Sequence, residues 1–346
     1  MPTDIHYDVP TWAWIALNAY VIVLLLLDLL VFNRKAHKIE WGEAAKLSAF
    51  FVSAALVVNV LIWVYLGSQA GVTFLTGYLV ELSLSVDNLF VIAVLFGFFA
   101  VPAPYQHRVL FWGVFGAIVM RAVMILLGVA LIERFDWVLY VFGAFLILTG
   151  VRMFREHDAE EDVANNRVLA FLRRSLPLTK GYHGQKFFIR RMGVTLVTPL
   201  FLVLVMIELT DVVFAVDSIP AILGVTTDPF LAYSSNILAV TGLRALYFLL
   251  AGIIERVRYL HIGLALVLLF IGTKMLAHPF LDAQGIHLPQ WVSLLVITVC
   301  IGGSALASWI AAKRDDPGDL PHPPGAPLPD GDHVPAASET RPTEAA

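Results

Sequence analysis

Two short segments carry carboxylates inside long apolar runs. In the first, Glu81 and Asp87 stand six residues apart, with Ser83, Ser85 and Asn88 between or beside them. In the second, Glu208, Asp211 and Asp217 are followed by Ser218 and Pro220. A charge at the centre of a membrane span costs about 2.5–3.5 kcal/mol even on a lenient insertion scale, so these acids together would cost on the order of 10 kcal/mol if left uncompensated. Arg121 and Arg244 are the counter-charges at similar depth. They balance two acids and leave an excess of negative charge for a bound cation or shared protons to remove. The neighbouring oxygens of Asn88, Ser85 and Ser218 are neutral, and no cysteine or histidine accompanies them. Such an oxygen-only set suits hard cations such as manganese, magnesium or calcium, and suits copper or structural zinc poorly.

Helix geometry limits how these acids can meet. Residues six apart on an unbroken helix differ by about 120° and residues nine apart by about 180°. Glu208 and Asp217 would therefore face opposite ways, and a single site needs a break. Pro220 lacks the N–H that would close the turn carrying Asp217 and is the expected break. The first segment has no proline at the matching place, so its break is expected from the Ser-rich turn alone.

The surrounding chain is 59% hydrophobic and 14% charged, with a mean hydropathy of +0.79. Soluble domains carry about 25% charged residues, which makes lipid the principal solvent here. An all-α, polytopic membrane fold follows, with about nine spans near 12–32, 44–66, 72–99, 109–132, 137–154, 194–223, 237–254, 262–276 and 291–311. Trp12, Trp14, Trp137, Tyr140 and Trp291 read as interfacial anchors. The 23 Lys and Arg lie mostly between spans and the net charge is only −4, which offers no footprint for nucleic acid. Arg34, Lys35, Lys38 and Lys46 follow the first span, and a second basic loop covers 155–193. Both are expected in the cytoplasm, with the N-terminus outside, the C-terminus inside and the chain in the inner (plasma) membrane. An amphipathic surface helix is expected near 168–172. Residues 315–346 hold eight of the 18 prolines and read as a disordered tail. The single cysteine, Cys300, excludes an intrachain disulfide.

The two acidic segments belong to a longer duplication. Glu81 through Asn88 aligns with Asp211 through Ser218; Arg121-Ala-Val-Met-Ile-Leu-Leu aligns with Arg244-Ala-Leu-Tyr-Phe-Leu-Leu; Gly150 and Arg152 align with Gly272 and Lys274. The three matches keep their order, which makes 72–154 a three-helix unit repeated as 194–276, flanked by 1–71 and 277–314. Three is odd, so the second unit must be inverted in the bilayer. Inverted repeats with a polar midplane site are a transporter architecture.

The motifs Glu81-Leu-Ser-Leu-Ser-Val-Asp87-Asn88 and Glu208-Leu-Thr-Asp211-Val-Val-Phe-Ala-Val-Asp217-Ser218-Ile-Pro220-Ala resemble the signature of the TerC family of integral membrane proteins, named for tellurium resistance. The stretches around Gly77, Trp137 and Pro229 resemble its Alx branch in particular, whose members respond to alkaline pH. The resemblance runs from the first span to Ala311. It implies manganese export, and it carries the family's acidic site onto Glu81, Asp87, Glu208, Asp211 and Asp217, with the metal as transported ion rather than resident cofactor. The proline-rich tail has no counterpart in that pattern.

The leading expectation is therefore an exporter of Mn²⁺, exchanging it for protons, with Asp87 and Asp217 as core ligands and Glu81, Glu208 and Asp211 as ligands or proton carriers. No enzymatic activity is expected. An intramembrane aspartyl protease would also use two aspartates on separate helices, but the Gly-x-Gly-Asp context is missing. A redox role lacks paired histidines for haem. A third alternative is a scaffold for tellurite resistance that docks partners on the basic loop, in which the acids serve packing. Asp28 reads as a helix-packing or interfacial acid, Arg152 and Lys274 as snorkelling cations, and His107, His157, His183 and His261 as solvated. Ion selectivity and oligomeric state are not encoded in these motifs.

Overall fold

The computed structural model describes residues 7–32, 41–135, 137–154, 169, 171–172, 174, 176–179, 181–191, 194–250, 259–284 and 289–314. Helix α1, Thr11–Leu27, runs on into a π-helical turn, Asp28–Phe32. It is followed by α2 (Trp41–Leu66), α3 (Ser68–Phe98), α4 (Ala103–Arg134) and α5 (Val138–Met153). A hairpin of β1 (Phe188–Arg191) and β2 (Val194–Val197) precedes α6 (Pro199–Val225), α7 (Pro229–Thr241), α8 (Leu243–Leu250), α9 (Leu260–Ala283) and α10 (Gln290–Arg314). Among the described residues seven helices are long and apolar enough to cross a membrane, and α5 is a shorter apolar helix of 16 residues. Their outward faces present large apolar side chains such as Val64, Leu127 and Leu148, the surface a helix turns to lipid. Trp12, Trp137 and Trp291 are exposed near helix ends, where interfacial anchors belong.

The seventh expected span, 237–254, differs from the observed structure. Helix α7 begins at Pro229, because the Asp228 side chain accepts a hydrogen bond from the Leu231 N–H at 2.9 Å and Pro229 occupies the first helical position. Asp228 also accepts from the Tyr7 N–H at 3.0 Å, tying the start of the chain to this cap. Residues Phe230 to Thr241 are all buried. A helix buried on every side, its Ser234, Ser235 and Asn236 included, is a core element rather than a lipid-facing one. The helix ends at Gly242, and α8 restarts beyond it.

The sixth expected span also starts later than its hydropathy suggests. Strands β1 and β2 form an antiparallel pair in which Ile189 faces Leu196 and Arg190 faces Thr195. The β-branched Val194, Thr195 and Val197 favour extended backbone, and Pro199 then opens the helix. The surface helix expected near 168–172 falls largely outside the described residues, although Leu169 is buried and Phe171 is exposed. The tail 315–346 lies outside them altogether.

Helix α3 packs on α7 and α6, α4 packs on α6, and α5 packs on α9. The α5–α9 contact is a backbone approach. A Cβ at Gly272 would lie 2.7 Å from the Gly143 carbonyl oxygen, and one at Gly143 would lie 3.1 Å from that of Gly272. With no hydrophobic drive between helices in lipid, such small-residue contacts supply the packing energy. Trp14, expected as an interfacial anchor, instead packs edge-on against Phe230 at 5.2 Å and beside Tyr233 at 5.4 Å, docking α1 on α7. Gly272→Leu is expected to lower the melting temperature and monodisperse yield in detergent sharply, since overpacking costs about 1–3 kcal/mol or more. Gly302→Leu, at a position with nothing within 4 Å of the added atom, should leave both unchanged.

Candidate functional site

The centre of the bundle is organised by Arg121 of α4, which is 1% exposed. Its Nε donates to Asp211 Oδ2 at 3.2 Å and its Nη2 to Asp211 Oδ1 at 2.9 Å, a two-point grip on one carboxylate. Its Nη1 forms an ion pair with Glu81 and reaches Ser218 Oγ at 3.4 Å. Two asparagines complete the arrangement. Asn88 Nδ2 donates to Asp211 Oδ1 at 2.7 Å, and Asn236 Nδ2 donates to Glu81 Oε2 at 2.7 Å. Helices α3, α4, α6 and α7 thus meet in one buried network.

Helical periodicity explains which residues enter it. Glu81, Ser85 and Asn88 follow an i, i+4, i+7 stripe on α3, and Asp211 and Ser218 are seven apart on α6. Asp87 and Asp217 stand six residues after Glu81 and Asp211, so each is turned by about 120° out of the network. They meet a second set of groups. Asp217 Oδ1 accepts from Thr149 Oγ1 of α5 at 3.1 Å, and Asp87 lies within electrostatic reach of Asp217 and His261. Arg152, exposed on α5, is within electrostatic reach of Asp217. Among the described residues neither Asp87 nor Asp217 makes a salt bridge, although both sit in bilayer-depth helices. Glu208 lies one turn before Asp211, half-buried, with its carboxylate against Gly116 of α4.

The five acids therefore do not converge on one point. Neither expected helix break is present: α3 is continuous from Ser68 to Phe98, and α6 runs through Pro220 to Val225. One missing N–H is absorbed within the helix, so its faces keep their angular order. Among the described residues no group of three or more His, Cys, Asp or Glu side chains is close enough to hold a metal ion. The carboxylates divide into a buried network carrying Glu81, Asp211 and Arg121, the two aspartates Asp87 and Asp217 within electrostatic reach of each other, and Glu208 on the flank.

Arg121 is the counter-charge its position in the sequence suggests, whereas Arg244 is not. Arg244 of α8 pairs with Asp28, the acid of the π-helical turn, and also donates from Nη2 to the Asp28 carbonyl oxygen at 3.3 Å. Both side chains are buried, and together they lock the end of α1 against the core. Lys274 does not snorkel; its Nζ donates to Ser293 Oγ of α10 at 3.0 Å. His183 is exposed as expected, while His261 is half-buried near Asp87. Asn236 and Thr149 were not singled out by sequence pattern. Neither has a matched polar residue in the other repeat unit, so only folding reveals their carboxylate partners.

Buried charge networks linking long apolar helices define a polytopic membrane protein with a polar bundle core. The profile of the "Integral membrane protein TerC family" matches residues 66–316. The chain belongs to that family. It is 46% identical over 310 residues to an uncharacterized membrane protein of Myxococcus xanthus, covering 90% of this chain and 96% of that one. It is 45% identical over 312 residues to Alx of Escherichia coli, whose name proposes a membrane-bound redox modulator, covering 87% and 96%. A Rickettsia bellii membrane protein is 40% identical over 292 residues, covering 84% and 95%. No solved structure matches the chain.

Arg121→Met leaves two carboxylates buried without a counter-charge and is expected to abolish most folded protein, since breaking such a pair costs about 3–5 kcal/mol. Adding Glu81→Gln and Asp211→Asn to that variant should restore much of the yield, measured by size-exclusion profile at matched expression.

Proposed function

We propose that this chain is a secondary transporter that moves a hard divalent cation, Mn²⁺ in the leading assignment, out of the cytoplasm. The observation that carries the proposal is the pair Asp87 and Asp217. The two acids come from matched positions of the two repeat units and lie within electrostatic reach of each other at bilayer depth, and among the described residues neither is salt-bridged. Two negative charges beside the Thr149 hydroxyl form an oxygen site matched in charge to a divalent ion, and oxygen ligands suit Mn²⁺. The metal is cargo in this reading. Site occupancy lasts only for one transport cycle, which agrees with a ligand set smaller than a resident metal centre requires.

The remaining acids take other roles. Glu81 and Asp211 are held by Arg121, and Glu208 beside Asp211 is placed to carry charge toward them. Coupling is to the inward movement of protons or another monovalent cation. Support for alternating access comes from the packing order. Contacts of α3 with α7 mirror those of α6 with α4, while the third helices, α5 and α9, meet each other. Exchanging the two repeat units leaves this pattern unchanged, as it does in transporters built from inverted repeats that rock about a shared site. The proposal places the protein in the inner membrane with the N-terminus outside and the basic loop and C-terminus in the cytoplasm. It assigns no catalysed reaction. The redox role in the relatives' name would here have a single thiol, the half-buried Cys300, to work through.

In cells lacking their own manganese exporter and challenged with Mn²⁺, expression of this chain is expected to lower intracellular manganese several-fold by elemental analysis. Asp87→Asn combined with Asp217→Asn, at matched membrane levels, should not. Equal manganese with and without the wild-type chain sinks the proposal, as does undiminished export by the double variant.

A further inference from the structure

The Arg121 network contains more oxygen than its charges use. Asn88 and Asn236 each turn their amide nitrogen to a carboxylate, so the orientation of both side chains is dictated by chemistry, and each Oδ1 must face away from that bond. Both Oδ1 atoms are buried and, among the described residues, accept no hydrogen bond; the Oγ of Ser85 is buried and equally without a partner among them. These three residues are 2%, 0% and 0% exposed. Ser85 lies one helical turn from Glu81 and three residues before Asn88, on the same stripe of α3. Two of these residues are bonded to the ion cluster through their amide nitrogens and the third shares the α3 stripe of Glu81 and Asn88, and an unpaired buried acceptor costs about 1–3 kcal/mol.

The charge of the cluster limits what can satisfy them. Glu81 and Asp211 contribute −2 and Arg121 contributes +1, a sum of −1. A divalent cation would overshoot to +1, whereas a monovalent cation brings the sum to zero. A proton would neutralise one carboxylate and still leave the amide and hydroxyl oxygens unpaired. A desolvated alkali cation uses neutral and charged oxygens together, which is the donor set present.

We infer that Ser85, Asn88 and Asn236, with the carboxylates of Glu81 and Asp211, form a binding site for one Na⁺ ion, separate from the Asp87–Asp217 pair. Its place as the coupling-ion site rests on the transport reading above; binding of Na⁺ does not. Entry of Na⁺ beside Asp211 would weaken the grip of Arg121 on α6 and so link occupancy of this site to the packing of α4 against α6. Division of labour between the sites follows from charge: the network takes one positive charge and the aspartate pair takes two.

The test uses the full chain purified in detergent, with melting temperature followed against NaCl, KCl and choline chloride at constant ionic strength, and separately against MnCl₂. Na⁺ should raise the melting temperature saturably by several degrees while choline does not, because a ligand specific to the folded state stabilises it by mass action. Ser85→Ala, which removes one oxygen and little volume, should shift the half-saturating Na⁺ concentration at least tenfold. Asp87→Asn with Asp217→Asn should keep the Na⁺ response and lose the Mn²⁺ response. Absence of a Na⁺ response in the wild-type chain overturns the site and leaves the oxygens to bound water, whether or not Mn²⁺ still stabilises. A Na⁺ response unchanged by Ser85→Ala but lost in the double aspartate variant also overturns it, moving the ion to the outer pair. A Na⁺ response that is sensitive to Ser85→Ala, without any Mn²⁺ response, upholds the site and removes the cargo assignment.

Discussion

One guanidinium sets the arrangement of the bundle. Arg121 is buried and its guanidinium is all donor and no acceptor, so it requires acceptors, and best carboxylates, from its neighbours. It takes Asp211 from α6 with two hydrogen bonds and Glu81 from α3 with an ion pair. Those contacts fix the rotation of α3, α4 and α6 about their own axes. Once the rotations are fixed, the acids six residues further along must point elsewhere, and Asp87 and Asp217 turn toward α5 and α9. A charge-satisfaction requirement in the core thereby sets apart a second set of acids that, among the described residues, makes no salt bridge. The functional reading depends on that difference between the two sets.

A second constraint is close backbone approach. Gly143 and Gly272 let α5 and α9 touch, and Gly116 leaves room for the Glu208 carboxylate against α4. Their effect is to bring backbone dipoles and carboxylates to distances at which small rearrangements change electrostatic energies substantially, since attraction between charges in a low-dielectric interior is strong. The Asp28–Arg244 pair plays a related part at the edge of the core. It holds the π-helical end of α1 against α8, while Tyr7 on Asp228 and Trp14 on Phe230 hold its start against α7. The first helix is thus tied at both ends to the most deeply buried helix pair.

Much of this was legible before folding. Composition and run length established an α-helical membrane protein. The acidic motifs located α3 and α6 as the charge-bearing helices, the matched segments marked their relation, and Arg121 was recognisable as a counter-charge because it lies at membrane depth in a run of apolar residues. Family membership was carried by the same motifs.

The three-dimensional pairing was not legible, and the reason is that hydropathy and spacing describe one helix at a time. Two arginines at matched positions look equivalent in sequence, yet one meets two repeat acids and the other meets Asp28, because which helices are neighbours depends on packing across the whole bundle. Pro220 is the break that spacing alone leads one to expect, yet the helix stays continuous through it, and continuity separates acids that a break would have joined. Asn236 lies in a run with no acidic motif, and only the burial of α7 against α3 puts its amide on Glu81. Local chemistry therefore determined the solvent, the helices and the acids they carry, while long-range packing decided which of those charges are paired.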